Sequence, residues 1–298
     1  MNYKKIFRSQ KVRFYILRML SWVPANLMLK AQYWIKFNRT LDLNKPKRFT
    51  EKIQHYKIYY RNPDMCGCVD KYLVRGFVDS IGCGQYLNKL YGLYKKADDI
   101  NFEILPNRFV IKTTDGGGGE NILICRDKSV LDIPNVIKTV NNWRNKDVSS
   151  MTYEWAYSGA KSSQVIIEKY LEEPANQDGS IDDYKFFCFG GKARYLVIDV
   201  DRYSGHKRNF YDINWNLLDI SSDCPIAHRE LTKPAGFDEM VCLAEKLSAG
   251  FPFVRVDLYY VQDKVLFGEM TFYPWSGYVQ FKPDSFDFEL GESFNINY

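Results

Sequence analysis

Two β-rich runs near the C-terminus, FVRVDLYYV and KVLFGEMTF, are joined by so little chain that they must fold back on each other as a hairpin. With Gln262-Asp263-Lys264 as the loop, Val261 opposes Val265, and further along Asp257 opposes Glu269. Arg255 and Thr271 form the next pair on that face, because side chains alternate along a strand. Like charges set directly opposite are destabilising. Two carboxylates in that geometry call for a divalent cation, and an all-oxygen site suits Mg²⁺. A solvent-exposed acidic pair, or a register slipped by one, is the alternative reading.

A second constraint lies upstream. The run RFVIK (108–112) ends in Lys112, passes through TTDGGGGE and re-enters a β-rich run, NILIC. Four glycines, Gly116, Gly117, Gly118 and Gly119, cost backbone entropy, so they usually answer a steric need. A loop without Cβ atoms lets backbone N–H groups close over phosphate oxygens while Lys112 supplies charge. The order is not that of a Walker loop, and no helix opens at the glycines as a dinucleotide fingerprint requires. A flexible hairpin tip is the plain alternative.

The remaining elements read as a strand at 87–94, a helix at 132–142, a strand at 164–171 ending in EKYL, and a hairpin at 185–201 turning at Gly190-Gly191. Helices follow at 70–82, opened by Asp70, and at 237–250, each with a glycine stop. A further helix spans 49–60 with Thr50 as its N-cap. Asp199-Val200-Asp201 is the Asp-x-Asp arrangement that many nucleotide-sugar glycosyltransferases use to hold a metal, and it is a competing motif. Three His without a Ser or Cys elbow give no hydrolase triad. Seven scattered Cys suggest a reducing cytoplasm and plain thiols, and Cys66, Cys68 and Cys83 lack a fourth zinc ligand.

Charge is uneven. Residues 1–62 hold fifteen Lys and Arg against Asp42 and Glu51, a net of +13 in a chain whose total is +5. A basic end of this kind implies an anionic partner: the cytoplasmic leaflet, an acidic glycan or nucleic acid. Residues 11–37 mix aromatics and leucines at helical spacing with Lys and Arg, broken near Pro24. That pattern reads either as a membrane-surface anchor or as a helix packed on the body with a solvated basic face. No run of 18 apolar residues is present, and the N-terminus lacks the apolar core and cleavage site of a secretory signal.

Taken together, KRFTEKIQHYK, DKYLVR, LPNRFVIKTTDGGGG, EKYL, DYKFFCFGGK, DVDR, FVRVDLY, FGEMTFYPWSG and the closing ELG resemble the ATP-grasp superfamily, and within it the TupA-like branch found with cell-surface polysaccharide genes. The similarity runs from about Lys45 to Gly291. It implies an α+β ATP-grasp fold: two α+β lobes with antiparallel sheets enclosing Mg-ATP, preceded by a basic helical N-terminal segment. The expected divisions are 1–62 for that segment, 63–171 for the lobe with the glycine-rich lid, and 172–298 for the lobe with the metal-binding hairpin.

The resemblance also implies roles. Lys71 and Lys112 would hold ATP phosphates under a lid of Gly116 to Gly119. Glu168 and the backbone of Lys169, Tyr170 and Leu171 would bind adenine and ribose. Asp257 and Glu269 would ligate Mg²⁺, with Thr271, which stands where the superfamily usually has Asn, as a third contact. Arg202 and Arg255 would neutralise the acyl phosphate or the substrate carboxylate, and Lys185 would face the site.

The implied activity is a carboxylate–amine ligase using ATP and Mg²⁺. It would join an amino acid or other amine to an acidic sugar, free or carried on a nucleotide or lipid, in an anionic polysaccharide. The expected setting is cytoplasmic, peripheral on the inner membrane leaflet, with no nucleic acid partner. A glycosyltransferase using Asp199 and Asp201, and a nucleotide-binding scaffold without turnover, are the other readings.

Overall fold

The strands form where apolar residues alternate or run together between turn residues. In the computed structural model, residues 19–20, 22–116, 121–143, 152–158, 163–173, 181–200, 205–227 and 231–297 are described. They form two antiparallel sheets with helices on their faces, an α+β architecture.

The first sheet holds β1 (Leu90–Tyr94), β2 (Phe109–Thr113), β3 (Ile122–Cys125) and β4 (Val165–Lys169) in the order β1-β4-β2-β3. One face carries Phe109, Ile111, Val165 and Ile167, which pack with Ile100, Phe102 and the Val136 and Val140 side chains of a helix at Ile133–Trp143. The opposite face keeps Lys112 and Glu168, which project together because Glu168 pairs with Val110, two residues before Lys112.

The second sheet holds β5 (Asp183–Phe189), β6 (Lys192–Val200), β7 (Lys207–Asp212), β8 (Leu217–Leu218), β9 (Phe253–Val261) and β10 (Lys264–Thr271), in the order β10-β9-β5-β6-β7-β8. Its Tyr184, Phe186 and Cys188 face packs on a helix at Phe237–Ser248 through Phe237, Met240 and Ala244. On the other face, Phe187, Phe189 and Phe253 meet Phe49, with Phe49 and Phe253 ring centroids 5.0 Å apart. Phe49 opens a helix at Phe49–Tyr59, itself packed on the C-terminal helix at Ser285–Ser293. Gly291 permits that approach, since a Cβ there would collide with the Lys47 carbonyl oxygen. Within the basic segment, the Phe49–Tyr59 helix closes the core of the second sheet through Phe49, Ile53 and Tyr56.

Two local expectations are corrected. Thr50 does not cap its helix. It is buried, its N–H and hydroxyl donate to Asp287 at 2.9 and 2.7 Å, and the helix start is served by Glu51, which accepts from the Lys47 and Arg48 N–H groups. The β9–β10 loop is two residues, not three. Gln262 and Asp263 both take positive φ (50° and 59°), as a tight hairpin turn demands, so Lys264 pairs with Val261. A bulge at Gly268 then moves the register by one and restores Asp257 opposite Glu269 and Arg255 opposite Thr271. A Cβ at Gly268 would stand 2.8 Å from the Asp257 carbonyl oxygen, so the bulge needs glycine.

Candidate active site

The second sheet carries a row of charges on one face, all of them buried except the half-buried Glu269. Glu269, Asp257 and Lys185 are directly opposite one another on β10, β9 and β5. Asp183, Asp199 and Arg208 are likewise opposite on β5, β6 and β7. Burying so many charges is costly unless each is paired, and here they are. Lys185 Nζ donates to Asp183 and, at 3.2 Å, to Asp257 Oδ2, and lies 3.7 Å from Asp199 Oδ2. Arg208 grips Asp199 through Nε (2.6 Å) and Nη2 (3.2 Å), and its guanidinium lies over the Trp275 ring at 4.9 Å. His206 Nε2 adds a contact to Asp199 at 3.0 Å.

Arg255 sits at the β9–β10 end of the row. Its Nη2 is 2.6 Å from Asp257 Oδ2, 3.1 Å from Glu269 Oε1 and 3.1 Å from Thr271 Oγ1. Three oxygens from two strands thus converge on one positively charged nitrogen. That donor set, two carboxylates and a hydroxyl, fits a hard divalent cation that completes its shell with water and phosphate oxygens. Among the described residues no group of three or more His, Cys, Asp and Glu forms a closed metal cage.

The carboxylates differ electrostatically. Burial pushes the Asp257 carboxyl up, to about 6, against the pull of Arg255 and Lys185. Burial would raise Glu269 as well, but Lys71, then Arg255 and Lys185, hold it down at about 2. Asp199, despite its burial, is kept well below the usual carboxylate range by Arg208 and then Lys185.

Lys71 belongs to the other sheet's half of the site. Its N–H donates to the Thr114 carbonyl (2.9 Å), next to the glycine loop; it lies in a turn where Asp70 accepts from the Tyr72 and Leu73 N–H groups, and the helix expected over 70–82 runs only from Leu73 to Ser80. Burial, and then Lys112, lower the Lys71 ammonium, opposed chiefly by Glu269. Lys112 Nζ donates to Glu168 Oε2 at 2.8 Å, and Arg75 Nη1 donates to Glu168 Oε1 at 3.1 Å. The Glu168 carboxylate thus orients two cations. At the strand end, Asn88 Nδ2 donates to the Lys169 carbonyl (2.9 Å), the Lys169 N–H donates to Lys89, and Tyr170 lies under Arg108. The chain then passes Leu171 to Glu173, whose carboxylate accepts from the Gln262 N–H at the β9–β10 turn.

The structure thus gathers Lys71, Lys112, Glu168, Lys185, Arg255, Asp257, Glu269 and Thr271 into one region, with Gly116 at its edge. Gly117 to Gly119, Asp201 and Arg202 lie outside the described residues. Sequence reasoning missed Arg75, Asp183, His206 and Arg208. Arg75 and Asp183 stand inside the quoted DKYLVR and DYKFFCFGGK stretches. Arg208 lies on β7, whose KRNFYD gives no alternation to mark a strand.

Fold and site together define an ATP-grasp protein. A family model described as TupA-like ATPgrasp matches residues 51–295, so the chain belongs to the TupA-like ATP-grasp family. No curated protein matches it. Among solved structures it is similar to D-alanine–D-alanine ligase from Bacillus anthracis, at 19% identity and a TM-score of 0.42 over 69% of this chain and 57% of that one. It is also similar to N5-carboxyaminoimidazole synthetase from Staphylococcus aureus complexed with ADP, at 15% identity and a TM-score of 0.42 over 69% and 44%. The chain spans about half the length of these neighbours.

Proposed function

We propose that the chain is a carboxylate–amine ligase that uses Mg-ATP to join an amino acid or similar amine to an acidic sugar during cell-surface polysaccharide synthesis. The observation that carries the chemistry is the convergence of Asp257, Glu269 and Thr271 oxygens on Arg255 Nη2, facing the cations Lys71 and Lys112. Bound Mg-ATP would supply the phosphoryl group that activates a carboxylate toward an amine.

The chain's own residues hold and shield the charge. Lys71 and Lys112 neutralise phosphate oxygens from one side, with Lys112 aimed by Glu168. Asp257 and Glu269 would hold the cation from the other, with the Thr271 hydroxyl oxygen as a third ligand. Arg255 Nη2 occupies the point on which these oxygens converge, so with a divalent cation held there its guanidinium would be displaced and available to the developing charge of the acyl group. Lys185 stays fixed by Asp183 and Asp257 and offers a second positive charge beside the reacting carboxylate. The glycine loop would close the site and exclude water from an activated acid.

The polysaccharide setting and the acidic sugar come from the resemblance to the TupA-like branch. The competing glycosyltransferase reading gains little from Asp199, whose oxygens are taken by Arg208, Lys185 and His206. A panel of uronic acids and amines, followed by ADP release with Mg-ATP, tests the reading. Release that needs both an acid and an amine and disappears in Lys112→Ala is the expected result. Turnover of UDP-sugars that ignores Lys112→Ala and depends on Asp199 overturns it.

A further inference from the structure

The helix at Ala25–Phe37 has two apolar faces, and among the described residues only one is packed against the body of the protein. Met28, Leu29, Tyr33 and Phe37 are buried. Tyr33 OH bonds Thr50 Oγ1 at 2.9 Å, the Phe37 and Tyr278 rings stack at 6.5 Å, and Tyr278 OH donates to Gln32 Oε1 at 2.8 Å. The helix is therefore held firmly. Its other face, with Leu27, Ala31, Trp34 and Ile35 at i, i+4, i+7 and i+8, is exposed. Trp34 is 55% exposed and Leu27 54%, and just before the helix Trp22 is 79% and Met19 62% exposed. Of the large apolar side chains more than half exposed, these four cluster within residues 19–34, whereas Leu73, Ile104 and Val130 are scattered singly.

We infer that this face docks on an anionic lipid surface. The sequence alone left open a membrane anchor or a packed helix with a solvated basic face. The structure has a packed helix whose other face, exposed among the described residues, is apolar. Charge selects the occupant. The first 41 residues carry nine Lys and Arg and no Asp or Glu, and Lys30 flanks the exposed stripe. A second copy of the chain would set like charges against each other, while anionic headgroups complement them. Tryptophans bordering the stripe are the side chains favoured at a membrane–water interface. Thirteen helical residues span about 20 Å, short of the roughly 30 Å hydrocarbon core, and no helix among the described residues is long and apolar enough to cross a membrane. The helix would thus lie in the interface plane. This inference does not depend on the proposed reaction.

The test is flotation of the full chain with vesicles of phosphatidylcholine alone and of phosphatidylcholine mixed with phosphatidylglycerol, for wild type, Trp22→Ser/Trp34→Ser and Lys30→Glu. The wild type should float with the anionic vesicles and not the neutral ones, and high salt should release it. The Trp double variant should partition about tenfold or more weaker while keeping the wild-type melting temperature and Mg-ATP response. Lys30→Glu should weaken flotation less. The inference is overturned if the wild type does not float, or if the double variant floats as well as the wild type. It is equally overturned if the Trp changes lower the melting temperature, which would mean the chain itself covers this face, or if they turn a dimer into a monomer.

Discussion

The two sheets bring opposite deficits to the site. On the first sheet's side, Lys71, Arg75 and Lys112 outnumber Glu168 and Asp115 by one positive charge. On the second, Asp183, Asp199, Asp257 and Glu269 outnumber Lys185, Arg208 and Arg255 by one negative charge. One half is short of an anion and the other of a cation. A nucleotide phosphate chain carrying a divalent cation satisfies both, and neither half is completed by a neutral ligand. The halves also differ in burial. Apart from Glu269, the charges of the second sheet are locked in pairs beneath the surface, so binding there must exchange partners, while Arg75 and Lys112 of the first are partly open and can receive a ligand more directly.

That contrast can be broken or sharpened by substitution. The largest effect should come from Arg208→Met. Removing one partner of a buried pair leaves Asp199 undercompensated and should cost about 3–5 kcal/mol in urea unfolding, while Arg75→Met, its partly exposed counterpart in the other half, should cost about 1 kcal/mol. Equal costs would erase the distinction between locked and open charges. Next, Glu269→Gln makes the second row neutral. It should lower ATP turnover about 10²–10³-fold with the metal dependence flattened, read as ADP release across a Mg²⁺ titration. Lys112→Ala should weaken Mg-ATP binding about 10–100-fold and leave urea unfolding unchanged, since the Lys112 ammonium is partly exposed.

The smallest effect is a pH dependence. Asp257 sits near 6 in the free protein, above the ordinary 3.8, because burial favours its neutral form. A raised folded-state value means the free protein gains stability from this group as pH falls from above 6 toward 3.8. Metal binding requires the ionised form, so the stabilisation given by Mg-ATP should shrink by up to about tenfold in affinity per pH unit below 6. Thermal shifts with and without Mg-ATP between pH 5 and 8 measure both trends, and Asp257→Asn should remove the inflection along with most of the binding.

Much of this arrangement was legible in the sequence, for physical reasons that differ by element. The β9–β10 hairpin announced its two carboxylates because strand pairing is an arithmetic of alternation. The loop was read one residue too long, yet the pair came out opposite because the Gly268 bulge offsets that error, and a bulge has no mark in sequence beyond the glycine itself. The Gly190-Gly191 turn was legible because both residues need positive φ. Arg208 was not, since Lys207–Asp212 is a strand by virtue of pairing with β6 and β8 rather than by any alternation of its own. Thr50 looked like a cap because Thr often is one, but its hydroxyl found a buried carboxylate 237 residues away. Partners so distant in the chain leave no local signal.

The most direct test of the complementary halves is a double-mutant cycle in Mg-ATP affinity for wild type, Lys112→Ala, Glu269→Gln and the pair, by calorimetric titration with UDP-glucose and magnesium as the control ligand. The account predicts tight Mg-ATP binding to the wild type, a loss in each single variant, and a metal dependence that survives Lys112→Ala but not Glu269→Gln. Mg-ATP binding indifferent to both changes, or binding of the UDP-sugar alone, would contradict it.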